Sequence, residues 1–365
     1  MLRILQCVNN MHRAGLETML MNYYRNVDRE YVQFDFLMHR DERSDYDDEI
    51  EALGGRIYRA PRLYPQNYPS YFRFMKQFFI EHPEYSIVHS HIDAMSYLPL
   101  LAAKKAGVPI RIAHSHSTGI DLDLKYPLKQ CFRYGLGGVA THRFACGTRA
   151  GEFLFRGNEY TVIPNAIDSM QFKRSESVRQ QKRNELSISD KLVVGHVGRM
   201  SYPKNHEFLL RMFKILLQKQ PNAVLLLVGT GEKESELKKK AEALGISSSV
   251  LFLGSRGDVA ELYQAMDVFV LPSYFEGVPL VGIEAQFAGI PCLFSRGVPE
   301  EVSFSKTTRF LDLSESLSAW VDAVLELYSS PTSAEDLSCS IYDIKGAAIN
   351  LQKHYIELAE KKDRC

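Results

Sequence analysis

Two glutamates, Glu276 and Glu284, bracket the run GVPLVGI near the C-terminal third of the chain. Each carboxylate can accept hydrogen bonds from sugar hydroxyls. Between them lie Pro279 and the backbone N–H groups of Val278, Leu280 and Val281. Proline suits the first helical turn, where its missing N–H loses nothing. The spacing therefore reads as two acceptors flanking a helix start able to hold phosphate. The blander reading makes Glu276 a loop residue and Glu284 an exposed helix position. Against that, Glu284 sits between LVGI and AQFAG, an apolar setting in which a carboxylate needs a partner.

Three other groups of residues carry chemistry. In VGRMSYPKNHEF, Arg199 and Lys204 lie five residues apart after a strand and before a helix, a placement that suits a diphosphate or plain solvated charge. In NNMHRAGLE, Gly15 opens a helix with Glu17 in its first turn, an anion site or a simple strand–helix turn. It is not G-x-G-x-x-G, so nicotinamide and flavin readings are weak. His89 and His91 end one strand, and His114 and His116 end the next. Residues i and i+2 of a strand share a face. No carboxylate or cysteine completes a compact metal set, so a polar role near neutrality is favoured over a metal. Asp121 and Asp123 in GIDLDLKY alternate with apolar residues and make no convincing metal pair.

The elements that must position these residues alternate. LRILQCV, VQFDFLM, SIVHSHI and VPIRIAHSH read as strands, separated by helical patterns such as LETMLMNYYRNV and MSYLPLLAAKKAG. Alternation of this kind gives parallel sheets built from βαβ units. The stretch from Ser169 to Lys191 is polar and poor in apolar residues, which places the domain junction there. The alternation then restarts with KLVVGHVGR and NAVLLLVGTG. The class is α/β, two Rossmann-like halves with parallel sheets facing a cleft. The expected domains are 1–170 and 171–346, with a C-terminal helix about 347–365 packing back on the first. Ligands in such sheets bind beyond the carboxyl ends of the strands.

With 365 residues, 45% apolar and 24% charged, the chain has material for two ordinary globular domains. The formal net charge is zero, so nothing global argues for nucleic acid. Six cysteines without CxxC spacing read as free thiols in a reducing compartment. The N-terminus does not read as a signal peptide, and apolar runs such as AVLLLV are far too short to span a bilayer. From Arg111 to Arg156 there are seven Arg/Lys against three Asp/Glu, and LKYPLKQCFRYG interleaves bases with aromatics. That face suits either an anionic membrane surface or plain solvent.

Taken together, Glu276-x7-Glu284, VGRMSYPKN, VIPNAID and RAGLE resemble the retaining glycosyltransferases of family four, which have the GT-B fold. HSHI and RIAHSHST are most similar to the branch that builds bacterial exopolysaccharide and capsule. The resemblance implies a donor site of Gly15, Arg199, Lys204, Arg256, Glu276, Gly277, Val278, Leu280 and Glu284. Glu284 would bind the ribose, Glu276 a donor-sugar hydroxyl, and Arg199 and Lys204 the diphosphate. The amides of Val278 and Leu280 would assist, Gly15 would close on the phosphates, and Arg256 would lie near the base. His116, or His114, would reach the reacting sugar. Implied partners are a nucleotide diphosphate sugar, UDP first, and a glycan or lipid-linked acceptor, with no cofactor and no metal. The implied place is the cytoplasm, with peripheral membrane contact. Two departures stand out: Ala14-Gly15 where the family often has Gly-Gly, and Ala166 where it usually has glycine. The alternatives are a GT-B nucleotide-sugar epimerase and a non-catalytic nucleotide-sugar-binding subunit.

Overall fold

The computed structural model describes residues 1–119, 126–329 and 340–363, with side chains through 361. Asp121 and Asp123 lie outside the described residues. The chain divides into two compact units, 1–166 joined by the segment from 341, and 167–340.

Unit 1 runs β1 (Leu2–Val8), α1 (Gly15–Asn26), β2 (Val32–Met38), α2 (Asp47–Ala52), β3 (Ile57–Arg59), α3 (Tyr68–Glu81) and β4 (Ile87–Ser90). It continues with α4 (Tyr97–Lys105), β5 (Ile110–Ser115), α5 (Tyr126–Gly135), β6 (His142–Ala145), α6 (Thr148–Phe155) and β7 (Thr161–Val162). The strands form one parallel sheet in the order β3-β2-β1-β4-β5-β6-β7. Strand β2 is buried along its whole length, as a strand covered on both faces must be. Separate apolar clusters cover the two faces.

Unit 2 runs α7 (Glu176–Glu185), β8 (Leu192–Val197), α8 (His206–Lys219), β9 (Ala223–Val228), α9 (Glu234–Leu244), β10 (Val250–Phe252) and α10 (Val259–Ala265). Then come β11 (Val268–Leu271), α11 (Leu280–Phe287), β12 (Cys292–Ser295), β13 (Thr308–Leu311) and α12 (Leu317–Ser329). Its parallel sheet has the order β10-β9-β8-β11-β12-β13. The last helix, α13 (Ile344–Asp363), belongs to unit 1. Its buried Ile344, Ala347, Ala348, Leu351 and Tyr355 recur at helical spacing and join the cluster beneath α1.

In both sheets the chain reverses its winding beside the first strand. β1 has β2 on one side and β4 on the other; β8 has β9 and β11. The crevice beyond the carboxyl ends of such neighbours is where open α/β sheets hold ligands. Lys204 follows β8, and Glu276 and Glu284 follow β11, so three of the singled-out residues come from loops flanking one switch point.

The polar stretch read as a junction is largely an integral helix. Lys182 and Arg183 of α7 are buried. Lys182 is paired with Asp258 and Glu261, each at 2.8 Å, and Arg183 with Asp267 at 3.2 Å. Charges can be buried when each finds a partner. Those partners come from α10 and its flanks, far off in sequence, so composition alone read α7 as a linker. The division between units falls at 166/167 and 340/341, rather than at 170/171 and 346/347.

Candidate functional site

The loop after β8 is built on close backbone contacts. Gly198 N–H donates to Val228 O at 2.9 Å, and Met200 N–H to Thr230 O at 2.9 Å. Gly229 has φ +127°, and a Cβ there would sit 2.2 Å from Gly198 O. A side chain at 229 is excluded twice over, by conformation and by space. The loop then makes a 3-10 turn, Tyr202–Lys204, tied to the next site loop by Tyr274 N–H donating to Pro203 O at 2.8 Å.

That bond brings the two site loops of unit 2 together. Lys204 Nζ lies 2.7 Å from Glu276 Oε1, and the pair is largely sheltered from water. The Ser273 hydroxyl donates to the same oxygen at 2.7 Å. Glu276 N–H donates to Gly297 O at 3.0 Å, and a Cβ at Gly297 would lie 2.4 Å from Ser273 O and Tyr274 O. Glycine at 297 thus lets a third loop press on the first two. Glu276 Oε2 has no hydrogen-bond partner among the described residues.

Helix α11 starts at Leu280, with Pro279 at its N-cap rather than in its first turn. Pro279 O accepts from Gly282 N–H at 3.0 Å. The amides ahead of that bond, those of Leu280 and Val281, have no acceptor within the helix and give its start partial positive charge. Gly277 and Leu280 are part-exposed there and Val278 is buried.

Glu284 lies one turn further on. The Tyr263 hydroxyl sits 2.9 Å from Glu284 Oε2 and 3.0 Å from Val281 O. Part of the residue reaches solvent, but its carboxyl is enclosed by protein. That burial pushes it up to about 7, against the opposing effects of Tyr263 and Lys204. Glu284 Oε1 has no partner among the described residues. Each glutamate therefore keeps one oxygen for a ligand hydroxyl.

Two predicted cations are placed otherwise. Arg199 is three-quarters exposed and pairs with Glu232 at 3.3 Å, so the structure does not bring it to Lys204. Arg256 makes a two-pronged bond to Asp258, at 2.7 and 2.6 Å, and lies 3.6 Å from Glu185. It is the outer end of the charge network around Lys182.

In unit 1, Gly15 opens α1, and a Cβ there would meet nothing within 4 Å. Ala14 is the N-cap in an extended conformation that any residue adopts, so Ala in place of Gly brings no strain. The four histidines gather at the carboxyl ends of β4 and β5. His114 is fully buried, whereas His116 keeps some exposure. His89 pairs with His114 at 3.1 Å, and His91 with His116 at 3.0 Å. His89, His91 and His114 also bring possible ligand atoms within 4.8 Å of one another, a convergence that strand spacing did not foretell.

Sequence reading missed Tyr263 and Ser273 and, in unit 1, Gln6 and Tyr355, which hydrogen-bond His91 and His89. Ser273 was visible in principle, three residues before Glu276. The other three reach their partners from distant segments and left no local signal.

Comparison with known proteins covers both units. The Glycosyltransferase Family 4 model matches residues 13–171, and the Glycosyl transferases group 1 model matches 178–342. EpsF of Bacillus subtilis (strain 168), named as a glycosyltransferase, is 36% identical over 333 residues, covering 88% of this chain and 86% of that protein. An Escherichia coli enzyme, UDP-Gal:alpha-D-GlcNAc-diphosphoundecaprenol alpha-1,3-galactosyltransferase, is 29% identical over 224 residues, 58% of each chain. The crystal structure of Anabaena HepE in complex with UDP-glucose superposes with a TM-score of 0.81 at 19% identity, covering 98% of this chain and 100% of that one. Two parallel-sheet Rossmann-like domains with these relatives define the GT-B fold. The chain belongs to the family 4, group 1 glycosyltransferases and is a glycosyltransferase.

Proposed function

We infer that this enzyme moves a sugar from a UDP-sugar to a glycan or lipid-linked acceptor, with retention and without a metal, in exopolysaccharide or capsule synthesis. The observation that carries the reading is the start of α11. There two glutamates, each with one unbonded oxygen, flank helix amides and the Lys204 ammonium. Glu284 takes the ribose hydroxyls, Glu276 Oε2 takes a hydroxyl of the donor sugar, and the amides of Gly277, Val278 and Leu280 take the diphosphate between them. Lys204, freed in part from Glu276, neutralises the leaving group. Arg199 is exposed and held only by a surface pair, so it can turn to the same charge. Arg256 serves the base edge of this site, and the family resemblance assigns Gly15 and His116, in unit 1, to the phosphates and the reacting sugar.

The sugar C1–O bond to phosphate breaks while the C1–O bond to the acceptor forms on the same face. The acceptor proton passes to the departing phosphate oxygen. Charge grows on the diphosphate, so fixed cations and amides do most of the work. One preorganised donor in a dry site contributes about 3–4 kcal/mol; a helix terminus contributes about 0.3–2 kcal/mol. Lys204 therefore outweighs the helix.

Support for the UDP base comes from similarity to the E. coli galactosyltransferase, whose name gives UDP-Gal and a diphosphoundecaprenol-linked acceptor, and to HepE, crystallised with UDP-glucose. We place the enzyme in the cytoplasm, with peripheral membrane contact; Cys7, Cys131 and Cys292, which carry free thiols, support a reducing compartment. No described helix is long and apolar enough to cross a membrane. The test is a thermal-shift screen of UDP, other nucleoside diphosphates and their sugars, with and without EDTA. UDP at 100 times its Kd adds about 2.7 kcal/mol. Stabilisation by UDP that needs magnesium sinks the metal-free reading, and stabilisation by another base alone sinks the UDP reading.

A further inference from the structure

The four histidines of unit 1 are wired by donors and acceptors whose order can be worked out. The wiring starts at Tyr355 of α13, whose hydroxyl lies 2.6 Å from His89 Nδ1. That distance is typical of O–H···N and short for N–H···O, so the phenol donates. Gln6 Nε2 in turn donates to the Tyr355 oxygen at 3.3 Å. His89 Nδ1 is then an acceptor, and a neutral ring must carry its proton on Nε2. His89 Nε2–H donates to His114 Nδ1 at 3.1 Å. His114 therefore carries its own proton on Nε2, a buried atom with no partner among the described residues.

The second branch leaves from the other end of the same amide. Gln6 Oε1 accepts from His91 Nε2–H at 2.8 Å. His91 Nδ1 is then an acceptor, 3.0 Å from His116 Nε2, which must donate to it. His116 is left with a bare Nδ1.

Two facts make the pattern self-consistent. Burial lowers all four rings, His116 to about 3, so each is neutral near pH 7. A second proton on His91 or His114 would also put two N–H groups face to face in its pair. The groups packed around the rings are Gln6 of β1, Tyr355 of α13, the Phe144 ring of β6 and Asp93, whose carboxylate accepts from the His116 backbone N–H at 2.8 Å. The three rings that could gather a metal ion already spend all but one of their nitrogens on these bonds.

We propose that Gln6 and Tyr355 are positioning residues for the transfer reaction: together they fix four neutral histidines in the Nε2–H form, so that His116 presents a bare Nδ1 to a substrate hydroxyl. A substrate hydroxyl can donate to a bare ring nitrogen, and His116 is the one ring of the four that keeps some exposure. The C-terminal helix, distant in sequence from every site motif, thereby sets the proton pattern at the ends of β4 and β5. The wiring stands on unit 1 alone; its use in transfer rests on the function proposed above.

The test has two arms on the full-length protein. Long-range 1H–15N imidazole spectra at pH 7 should show four neutral rings, all protonated at Nε2. Tyr355→Phe should disturb His89 and His114 while leaving His91 and His116; Gln6→Met should disturb the second pair. An Nδ1–H ring, an imidazolium, or a stoichiometric metal ion that shifts His89, His91 and His114 together overturns the wiring. In the activity arm, assayed well below its melting temperature, each variant should lose at least about tenfold in kcat, with KM for the nucleotide sugar within twofold. Unaltered kcat with altered tautomers overturns the positioning role while leaving the donor site of unit 2 untouched.

Discussion

Glu284 carries the residue-scale consequence. Burial raises its carboxyl from the ordinary 4.5 to about 7. Between those values the folded protein holds a proton that the unfolded chain has released. Stability therefore falls as pH rises through that window, and the loss is complete above pH 7. Glu284→Gln should stabilise the protein at pH 8 by on the order of 2–3 kcal/mol and change little near pH 4.5, as urea titrations at the two pH values will show. The same carboxylate must ionise to accept two ribose hydroxyls. UDP affinity should thus weaken toward tenfold per pH unit below 7, and the difference between wild type and Glu284→Gln removes the titration of UDP itself. Equal pH profiles for the two proteins would exclude the ribose assignment. Lys204→Ala should lower kcat about 10²–10³-fold in steady-state assays, the scale of one lost charge-stabilising donor.

At the scale of elements, the site is held by backbone contacts that glycines permit. Gly229→Ala forces a left-handed φ on alanine and sets its Cβ 2.2 Å from Gly198 O. We expect a lower melting temperature, with a loss of roughly 1–3 kcal/mol, and weakened UDP binding because the Lys204 loop shifts. A melting temperature unchanged within error would contradict this account of the loop. The elements were the most legible part of the sequence. Strands β1, β2, β4, β5, β8 and β9 show as apolar runs, and α13 as an amphipathic one. Helix α7 was illegible because its buried face is charged: Lys182 and Arg183 read as solvent-facing until Asp258 and Asp267 meet them. Glu276, Glu284 and Lys204 were legible because motif spacing ties each to its loop. Their mutual distances were not, since parallel strands bring together residues more than 70 positions apart. Arg199 shows the limit: its place in a motif could not reveal its pairing with Glu232.

At the scale of the whole molecule, α13 closes unit 1 although it follows unit 2 in the chain. Leu351→Ala removes a buried side chain from the cluster beneath α1. It should cost unit 1 about 2–5 kcal/mol and leave unit 2 alone. The single tryptophan, Trp320, lies in the unit 2 core, so its fluorescence follows that unit only. Far-UV circular dichroism follows both. Wild-type-like fluorescence with an early dichroism transition is the expected result; an equal shift in both signals would show that the units unfold as one. We propose above that the α11 start of unit 2 holds a nucleotide diphosphate without a metal. Calorimetric titration of UDP at pH 8 in EDTA tests it most directly. Saturable one-site binding to the wild type is expected, weakened at least tenfold by Lys204→Ala and by Glu284→Ala. Absent binding in EDTA that magnesium restores, or equal affinity in all three proteins, would contradict it.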